Sequence, residues 1–344
     1  MNIYDIAEKA GVSIATVSRV INGSDKVSDK TRARIMAIIE ENNYTPNVFA
    51  RGLSGDSIHI IGILVPDIAD HFMSRAVSYL EKNLHEKGYN ILLSCSGYSA
   101  EEKESHIRML LDERIDAMIL VGSTYAGSGN ESHNTESIKE ASCKIPVFLI
   151  NGYIESDNIY CTFSNDYDAS YELTKKFVEN GRKRFLFITD SESYSANKKR
   201  EGFTRALEDS GISPENISFL HLPNDIAVVS DYLREHPTDF DACYASEDGI
   251  AIGVVKYAQS KGLRVPEDIS VIGYNNSEIC IAAVPEITSV DNRLKYICDG
   301  TVSRLLAVLS GETEVEHRTS VACTLACRDT TNFVTIHSPA VCES

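Results

Sequence analysis

The chain has 344 residues, 43% of them apolar and 24% charged, and a formal net charge of −17. This length predicts two or three structural units, and the composition is that of globular proteins rather than disordered chains. No apolar run approaches the roughly 18 residues of a membrane-spanning helix, and the first residues lack the pattern of an export signal, so we expect a cytoplasmic protein.

The charge is divided unevenly along the chain. Residues 1–54 carry seven basic and six acidic side chains, a balance of +1, so the other 290 residues carry −18. An acidic body repels phosphate groups, whereas a nearly neutral head tolerates them. This asymmetry would orient the protein head first on a nucleic-acid duplex.

The cysteines do not indicate a metal centre. Nine of them lie between Cys95 and Cys342, and the one close pair, Cys323 and Cys327, falls in a predicted strand. A zinc site usually needs two such pairs, and the nine histidines show no metal-ligand spacing. We therefore expect buried free thiols and predict no metal and no cofactor.

Two short helices are predicted at the start of the chain. Apolar residues at helical spacing place the first at residues 3–10, Gly11 suits a tight turn, and Ser13 can cap the second helix. Val17, Val20 and Ile21 form the predicted inward face of that second helix. Its other face is short-chained and rich in hydroxyls, with the residues Ile14, Ala15, Thr16, Ser18 and Arg19.

A third helix is predicted from the cap Ser28 to about Asn43, with a buried stripe of Ile35, Met36, Ile38 and Ile39. Two short helices around a glycine turn, braced by a third, form the helix-turn-helix layout. A generic three-helix bundle is the alternative. The short side chains of the second helix favour DNA reading, because they can approach base edges while Arg19 reaches guanine O6 and N7.

The next segment is typical of a short helix or a linker. Thr45-Pro46 forms a helix start, a hydroxyl cap followed by proline. The seven residues after it would add only two turns, and such a helix is marginal in water, with Gly52 costing roughly 1 kcal/mol more. A simple linker is therefore the alternative to a helix that folds only with a partner.

From residue 58 onward, apolar runs typical of buried parallel strands alternate with helices, the first of which spans residues 72–85. The predicted strands are residues 58–65, 89–95, 115–121, 145–150, 184–189, 241–245 and 269–273. This alternation predicts a doubly wound α/β body, too long for one sheet and divided into two. Ligands in such folds bind beyond the carboxyl ends of strands and between domains.

The head closely resembles the LacI/GalR (lactose-repressor/galactose-repressor) family. The matching segments are residues 5–7 (DIA), 10–13 (AGVS), 15–23 (ATVSRVING), 27–28 (VS) and 44–47 (YTPN). In the body, residues 61–67, 115–120, 262–274 and 328–330 resemble the family's periplasmic-binding-protein-like sensor. The expected fold is an all-α helix-turn-helix head followed by a two-lobed α/β body of that type.

The resemblance implies roles in DNA binding. Residues at the positions of Ile14, Ala15 and Arg19 read bases in the major groove. Those at the positions of Tyr4, Ser13, Thr16, Ser18 and Asn22 hold phosphates. The hinge segment is implied to fold on DNA beside its dimer mate. There Asn47 joins the DNA-binding residues, Ala50 lets two hinge helices approach closely, and Leu53 wedges into the minor groove.

The resemblance also implies a domain division. The helix-turn-helix covers residues 1–45, the hinge 46–57, the effector-binding and dimerisation body 58–335, and a tail 336–344. Within the body, three crossing strands near residues 163, 289 and 319 separate two lobes. The N-lobe covers about 58–162 and 290–318, and the C-lobe about 163–289 and 319–335. The effector is implied to bind between them.

At the implied effector positions this sequence departs from the family. Lys199 stands where sugar- and purine-responding members have arginine, Glu247 replaces an asparagine, and Asn275 and Ser164 each replace an aspartate. His71 and Phe72 take the wall positions. Arginine to lysine exchanges a bidentate fork for a point charge, and aspartate to asparagine removes a charge. A common pyranose held by an Asp/Arg pair is therefore not expected. A structural role is the alternative for each residue, as is a helix N-cap for Asp248.

The sequence thus predicts a homodimeric DNA-binding regulator, within that class a repressor, that binds a palindromic operator and responds to a sugar or sugar derivative. A solute-binding receptor would need a signal peptide. A sugar-metabolising enzyme would need a catalytic constellation, and no dinucleotide fingerprint, phosphate loop or nucleophile setting is present, so no catalytic residue is predicted. Effector identity, induction against co-repression, and dimer against tetramer stay open.

Overall fold

The computed structural model describes residues 3–21, 26–42, 57–127 and 135–333. The chain divides into two compact units, a head (Met1–Ile58) and a body (His59–Ser344). None of the helices in the described part of the chain is long and apolar enough to cross a membrane.

The head is built from three helices, α1 (Ile3–Ala10), α2 (Ile14–Ile21) and α3 (Asp29–Glu41). Gly11 takes a φ of +61° between α1 and α2, a conformation that favours glycine. The hydroxyl of Ser13 accepts a hydrogen bond from the Thr16 amide at 3.3 Å, and Ser28 caps α3 in the same way. These local signals confirm the predicted helix-turn-helix.

The core of the head is a small apolar cluster of Ile6, Ala7, Ala10, Val17, Val20 and Ile35. Ile38 and Ile39 are half-buried against it. The prediction that Met36 is buried is wrong, since its side chain is 40% exposed. One residue advances a helix by about 100°, so the neighbour of the fully buried Ile35 turns away from the core.

The first sheet of the body has six parallel strands in the order β2-β1-β3-β4-β5-β11. Their bounds are β1 (Ile60–Val65), β2 (Asn90–Cys95), β3 (Ala117–Val121), β4 (Val147–Ile150), β5 (Ile159–Ser164) and β11 (Arg318–Val321). Strands β1, β3, β4 and β5 are buried along their whole length, which explains their continuous apolar runs.

The second sheet has six strands in the order β7-β6-β8-β9-β10-β12, and only the last pair is antiparallel. Their bounds are β6 (Phe185–Thr189), β7 (Ile217–His221), β8 (Ala242–Ala245), β9 (Ser270–Tyr274), β10 (Thr288–Asp291) and β12 (Thr324–Ala326). The edge strand β7 was not predicted, because its residues are only partly buried and alternate weakly.

Nine helices of the described body connect these strands. They are α4 (His71–Glu86), α5 (Ala100–Asp112), α6 (Glu136–Ser142), α7 (Asp166–Glu179), α8 (Tyr194–Asp209), α9 (Ile226–Glu235), α10 (Asp248–Ser260), α11 (Ile279–Ala282) and α12 (Leu294–Leu309). The chain leaves the first sheet after Ser164, leaves the second after Asp291 to form α12 against the first, and passes back after Val321. The prediction of a doubly wound body with two sheets is confirmed.

The cysteines differ from the expectation of uniformly buried thiols. Cys161, Cys243, Cys280 and Cys298 are buried, but the side chains of Cys95, Cys143 and Cys327 are exposed. Cys323 and Cys327 flank the short strand β12 rather than lying within it. Strand ends and surface helices carry the exposed thiols, so residue type alone did not decide their burial.

Candidate functional site

Helix α2 of the head has one buried and one exposed face. Val17 and Val20 lie in the core, whereas Ile14 is 39% exposed and Ala15 and Arg19 are exposed. We call the exposed face, Ile14, Ala15 and Arg19, the α2 surface. It combines two short apolar side chains with one guanidinium, which is the chemistry that contacts thymine methyl groups and the guanine edge.

The residues predicted to bind phosphate lie on α1 and on and beside α2. Tyr4 on α1 is 66% exposed, and the exposed hydroxyl of Ser13 lies 3.0 Å from that of Thr16. Thr16 and Ser18 are half-buried. The remaining predicted DNA-binding residues, Asn22, Asn47, Ala50 and Leu53, lie outside the described residues.

The body contains a cavity of about 290 Å³ lined from both sheets. From the first sheet, Asp70, Phe72, Tyr98, Thr124 and Asn151 line it, and each follows the carboxyl end of a strand. From the second sheet it is lined by Asp190, Ser191, Ser193, Ser195, Lys199, Ser246, Glu247 and Asn275. The cavity therefore lies where doubly wound folds place their ligands.

Four predicted effector residues line this cavity, namely Phe72, Lys199, Glu247 and Asn275. Lys199 is 4% exposed; its ammonium donates to the Ser246 carbonyl at 3.0 Å and lies 3.7 Å from the centroid of the Tyr274 ring. The Glu247 carboxylate accepts a hydrogen bond of 2.6 Å from the Asn275 amide and lies 3.9 Å from the Lys199 ammonium.

Two predicted effector residues do not line this cavity. Ser164 is 3% exposed, and its hydroxyl oxygen lies 2.5 Å from the Asp166 carboxylate and 3.2 Å from the Asn151 side-chain oxygen, so internal partners already occupy it. The same Asp166 carboxylate accepts from the hydroxyl of Tyr274 at 2.6 Å. His71, the first residue of α4, lines a neighbouring cavity of about 390 Å³ instead.

The interpretation of Asp248 as a helix N-cap is wrong. Glu247 occupies the cap position of α10, and Asp248 is the first helical residue. The Asp248 carboxylate accepts hydrogen bonds from the Ser277 amide and hydroxyl, both 2.7 Å, and from the Ser289 hydroxyl at 2.6 Å. It connects the loop after β9, through Ser277, to strand β10, through Ser289.

The sequence reasoning missed the carboxylates that dominate this cavity. Asp190 directly follows β6, and Asp70 caps α4. Burial raises the pKa of Asp190, and Lys199 opposes this shift. Burial also raises the pKa of Glu247 well above its ordinary value, with Lys199 opposing and Asp190 and Asp70 adding to the increase. The available signal was an acidic residue directly after a predicted strand. Over the described ranges, no group of three or more His, Cys, Asp or Glu side chains could hold a metal ion.

Comparisons with known proteins agree with this geometry. Residues 2–47 match the model of bacterial regulatory proteins, lacI family, and residues 174–331 match a periplasmic binding protein-like domain. An HTH-type transcriptional regulator from Lachnoclostridium phytofermentans is 40% identical over 97% of this chain and 100% of its own length. Catabolite control protein A from Priestia megaterium is 33% identical over 84% of this chain and 87% of its own.

A solved structure extends the similarity to the fold. The lac repressor dimer bound to operator and the anti-inducer ONPF matches with a TM-score of 0.83 at 25% identity, covering 96% of this chain and 99% of that one. The resemblance found in the sequence is confirmed for both the head and the body. The chain belongs to the lacI family of bacterial transcriptional regulators.

Proposed function

We propose that the chain acts as a homodimeric repressor that binds a palindromic operator through the α2 surface. The observation that carries this proposal is the exposure of Ile14, Ala15 and Arg19 on a helix whose other face is buried. The similarity to a lac repressor dimer bound to operator supports it. A two-fold symmetric dimer presents two such surfaces, so its operator repeats the site in inverted orientation.

The proposed roles divide into base reading and phosphate binding. Ile14 and Ala15 contact base edges, and Arg19 forms a fork to a guanine. Tyr4, Ser13, Thr16, Ser18 and Asn22 hold phosphates, which sets register and affinity. For the hinge (residues 46–57), the roles of Asn47, Ala50 and Leu53 in the minor groove stay predictions. A regulator of chromosomal promoters works where the DNA is, which supports a cytoplasmic location.

The body senses a small effector, in this proposal a sugar or sugar derivative bound in the cavity between the two lobes. Residues of both sheets line that cavity, so a ligand contacting both can favour one arrangement of the lobes. Such a ligand changes operator affinity only by its differential affinity for the two arrangements. No chemical step is proposed for the cavity, which acts as a binding site and not as an active site.

The proposal is tested by operator binding measured with fluorescence anisotropy on a palindromic promoter fragment and its single-base variants. Arg19→Ala is expected to weaken binding to the preferred site by about 1–3 kcal/mol and to relax the preference at one base pair in each half-site. Arg34→Ala on α3 is the matched control, because it removes the same charge from an exposed position of the same head.

Both variants lose one positive charge, so both are expected to shift the salt dependence by a similar amount. Only Arg19→Ala should change the ranking of operator variants. An unchanged ranking would show that Arg19 does not read a base. If the protein does not distinguish the palindrome from random DNA, the proposed function is overturned.

A further inference from the structure

The effector cavity carries more negative than positive charge. Three carboxylates, Asp70, Asp190 and Glu247, line it together with Lys199, the one cationic side chain that the described residues contribute. We propose that the effector is a polyhydroxylated ligand carrying a protonated amine, an amino sugar in chemical class, with its ammonium held among these carboxylates. This inference rests on the proposed function of the cavity as the effector site.

The charge of Lys199 is already engaged inside the protein. Its ammonium donates to the Ser246 carbonyl at 3.0 Å and makes a cation–π contact, 3.7 Å from the centre of the Tyr274 ring. Its distance of 3.9 Å from the Glu247 carboxylate is longer than a hydrogen bond. One buried ammonium therefore leaves the carboxylates with an excess of negative charge.

Two of the three carboxylates, Asp190 and Glu247, have few donors, whereas Asp70 already accepts a hydrogen bond from the Met73 amide at 2.9 Å. One oxygen of Glu247 accepts from Asn275 at 2.6 Å, while the nearest cation to the other among the described residues is Lys199 at 3.9 Å. Within the described residues, Asp190 accepts a backbone hydrogen bond from its own amide but has no side-chain donor. Burial raises the pKa of both carboxyls, and Asp190 and Asp70 raise that of Glu247 further. A ligand cation would relieve both the repulsion and the missing donors, whereas a phosphate or sugar acid would add to the repulsion.

Two hydroxyls independently indicate a polar ligand in the same place. The hydroxyl oxygens of Ser246 and Thr124 are buried and have no hydrogen-bond partner, and Ser246 is only 1% exposed. Both residues line the cavity. Buried hydroxyls normally have a partner, so these two are suited to the hydroxyl groups of a bound polyol.

Aromatic side chains complete an environment suited to a cation. Phe72 and Tyr98 line the cavity, and Tyr98 is 58% exposed. Partial burial raises the pKa of the Tyr98 hydroxyl, and Asp70, Asp67, Asp190 and Glu247 add to the increase, so their negative field extends to this ring. An aromatic face beside carboxylates attracts an ammonium group.

The proposal is tested on the full chain by calorimetric titration near neutral pH with matched sugars. The probes are glucosamine against glucose, galactosamine against galactose, and mannosamine against mannose. N-acetylglucosamine and glucuronate serve as neutralised and acidic comparisons. At least one amine is expected to bind about tenfold or more tightly than its hydroxyl partner, since a charge-assisted hydrogen bond is roughly twice as strong as a neutral one. Equal or tighter binding of the neutral, acetylated or acidic sugars, or no binding by any amine, would overturn the proposal.

Variants separate the charge of the cavity from its shape. Asp190→Asn and, independently, Glu247→Gln are expected to reduce the amine preference about tenfold while changing the affinity for the hydroxyl partner little. Glu192→Gln is the matched control, because Glu192 is exposed close to Asp190 in sequence and does not line the cavity. An amine preference that survives both cavity variants counts against the inference.

Operator binding is measured in parallel for every variant. If operator binding is retained and responds to a neutral sugar, only the proposal that the effector carries a positive charge is overturned. If the unmodified chain does not bind the operator specifically, the proposed function itself is overturned.

Discussion

Helices α7 and α8 approach each other closely at Gly202, and we predict that Gly202→Ala separates them. A Cβ atom at this position would lie 2.2 Å from the Tyr167 carbonyl oxygen, 3.0 Å from the Tyr171 amide nitrogen and 3.1 Å from the Ser170 Cβ. The first two are backbone atoms, so no side-chain rotation relieves the contact. The helices must move apart by roughly 1 Å to restore van der Waals distances.

The magnitude follows from two opposing contributions. Overpacking typically destabilises a protein by about 1–3 kcal/mol. We take the upper value, about 3 kcal/mol, because the Cβ would meet backbone atoms that cannot rotate away. Alanine regains about 1 kcal/mol of helix propensity over glycine, which leaves a loss of about 2 kcal/mol. For a body of roughly 280 residues, an unfolding entropy near 0.6 kcal/mol/K converts this loss into a decrease in Tm of about 3 °C.

The control is Gly300→Ala in α12, where a Cβ would meet no atom within 4 Å. The same substitution there is expected to stabilise the body by about 0.5–1 kcal/mol, because only the propensity gain remains. Scanning calorimetry or urea unfolding of both variants measures the difference. If Gly202→Ala were as stable as Gly300→Ala, the close approach of α7 and α8 would be refuted. Lys199 lies three residues before Gly202 on α8, so weakened effector binding should accompany the loss.

Two further predictions concern acid stability and thiol reactivity. Hydrogen bonds from Arg264 hold the pKa of Asp268 at about 2, below its ordinary 3.8, so its contribution to stability is present above about pH 4 and is lost as the pH falls towards 2. Asp268→Asn should therefore flatten the fall in unfolding free energy over this range, and an unaltered fall would contradict the pairing. Brief alkylation of the native protein, measured by mass spectrometry, should modify the exposed thiols of Cys95, Cys143 and Cys327. The buried thiols should react slowly, because burial also raises their pKa; they are Cys161, Cys243, Cys280 and Cys298. Rapid labelling of these four would contradict the packing.

Much of the head could be predicted because its signals are local. Gly11 sets the turn, Ser13 and Ser28 cap the helices, and the helical period identifies Val17 and Val20 as core residues. Each of these effects acts within four residues of chain. The error at Met36 arose because helical periodicity identifies the residues of the buried face of α3 only to within one residue on either side.

In the body, sequence alone determined the alternation of buried strands and helices, because fully buried parallel strands need unbroken apolar runs. It could not reveal the half-exposed β7. The structure brings to one cavity four of the residues that the resemblance indicated, namely Phe72, Lys199, Glu247 and Asn275.

The charge of that cavity was decided only by tertiary structure. Asp70, Asp190 and Glu247 stand on loops that are far apart in sequence, and nothing local relates them. Parallel pairing aligns the carboxyl ends of strands within each sheet, and the crossings of the chain bring the two sheet edges to one cavity. The pairing of β4 with β5 also places Ser164 beside Asn151, and this contact, with the local one to Asp166, occupies the Ser164 hydroxyl. Strand periodicity fixes which face a residue occupies, but which loops share a cavity depends on strand order, and that is a property of long-range pairing.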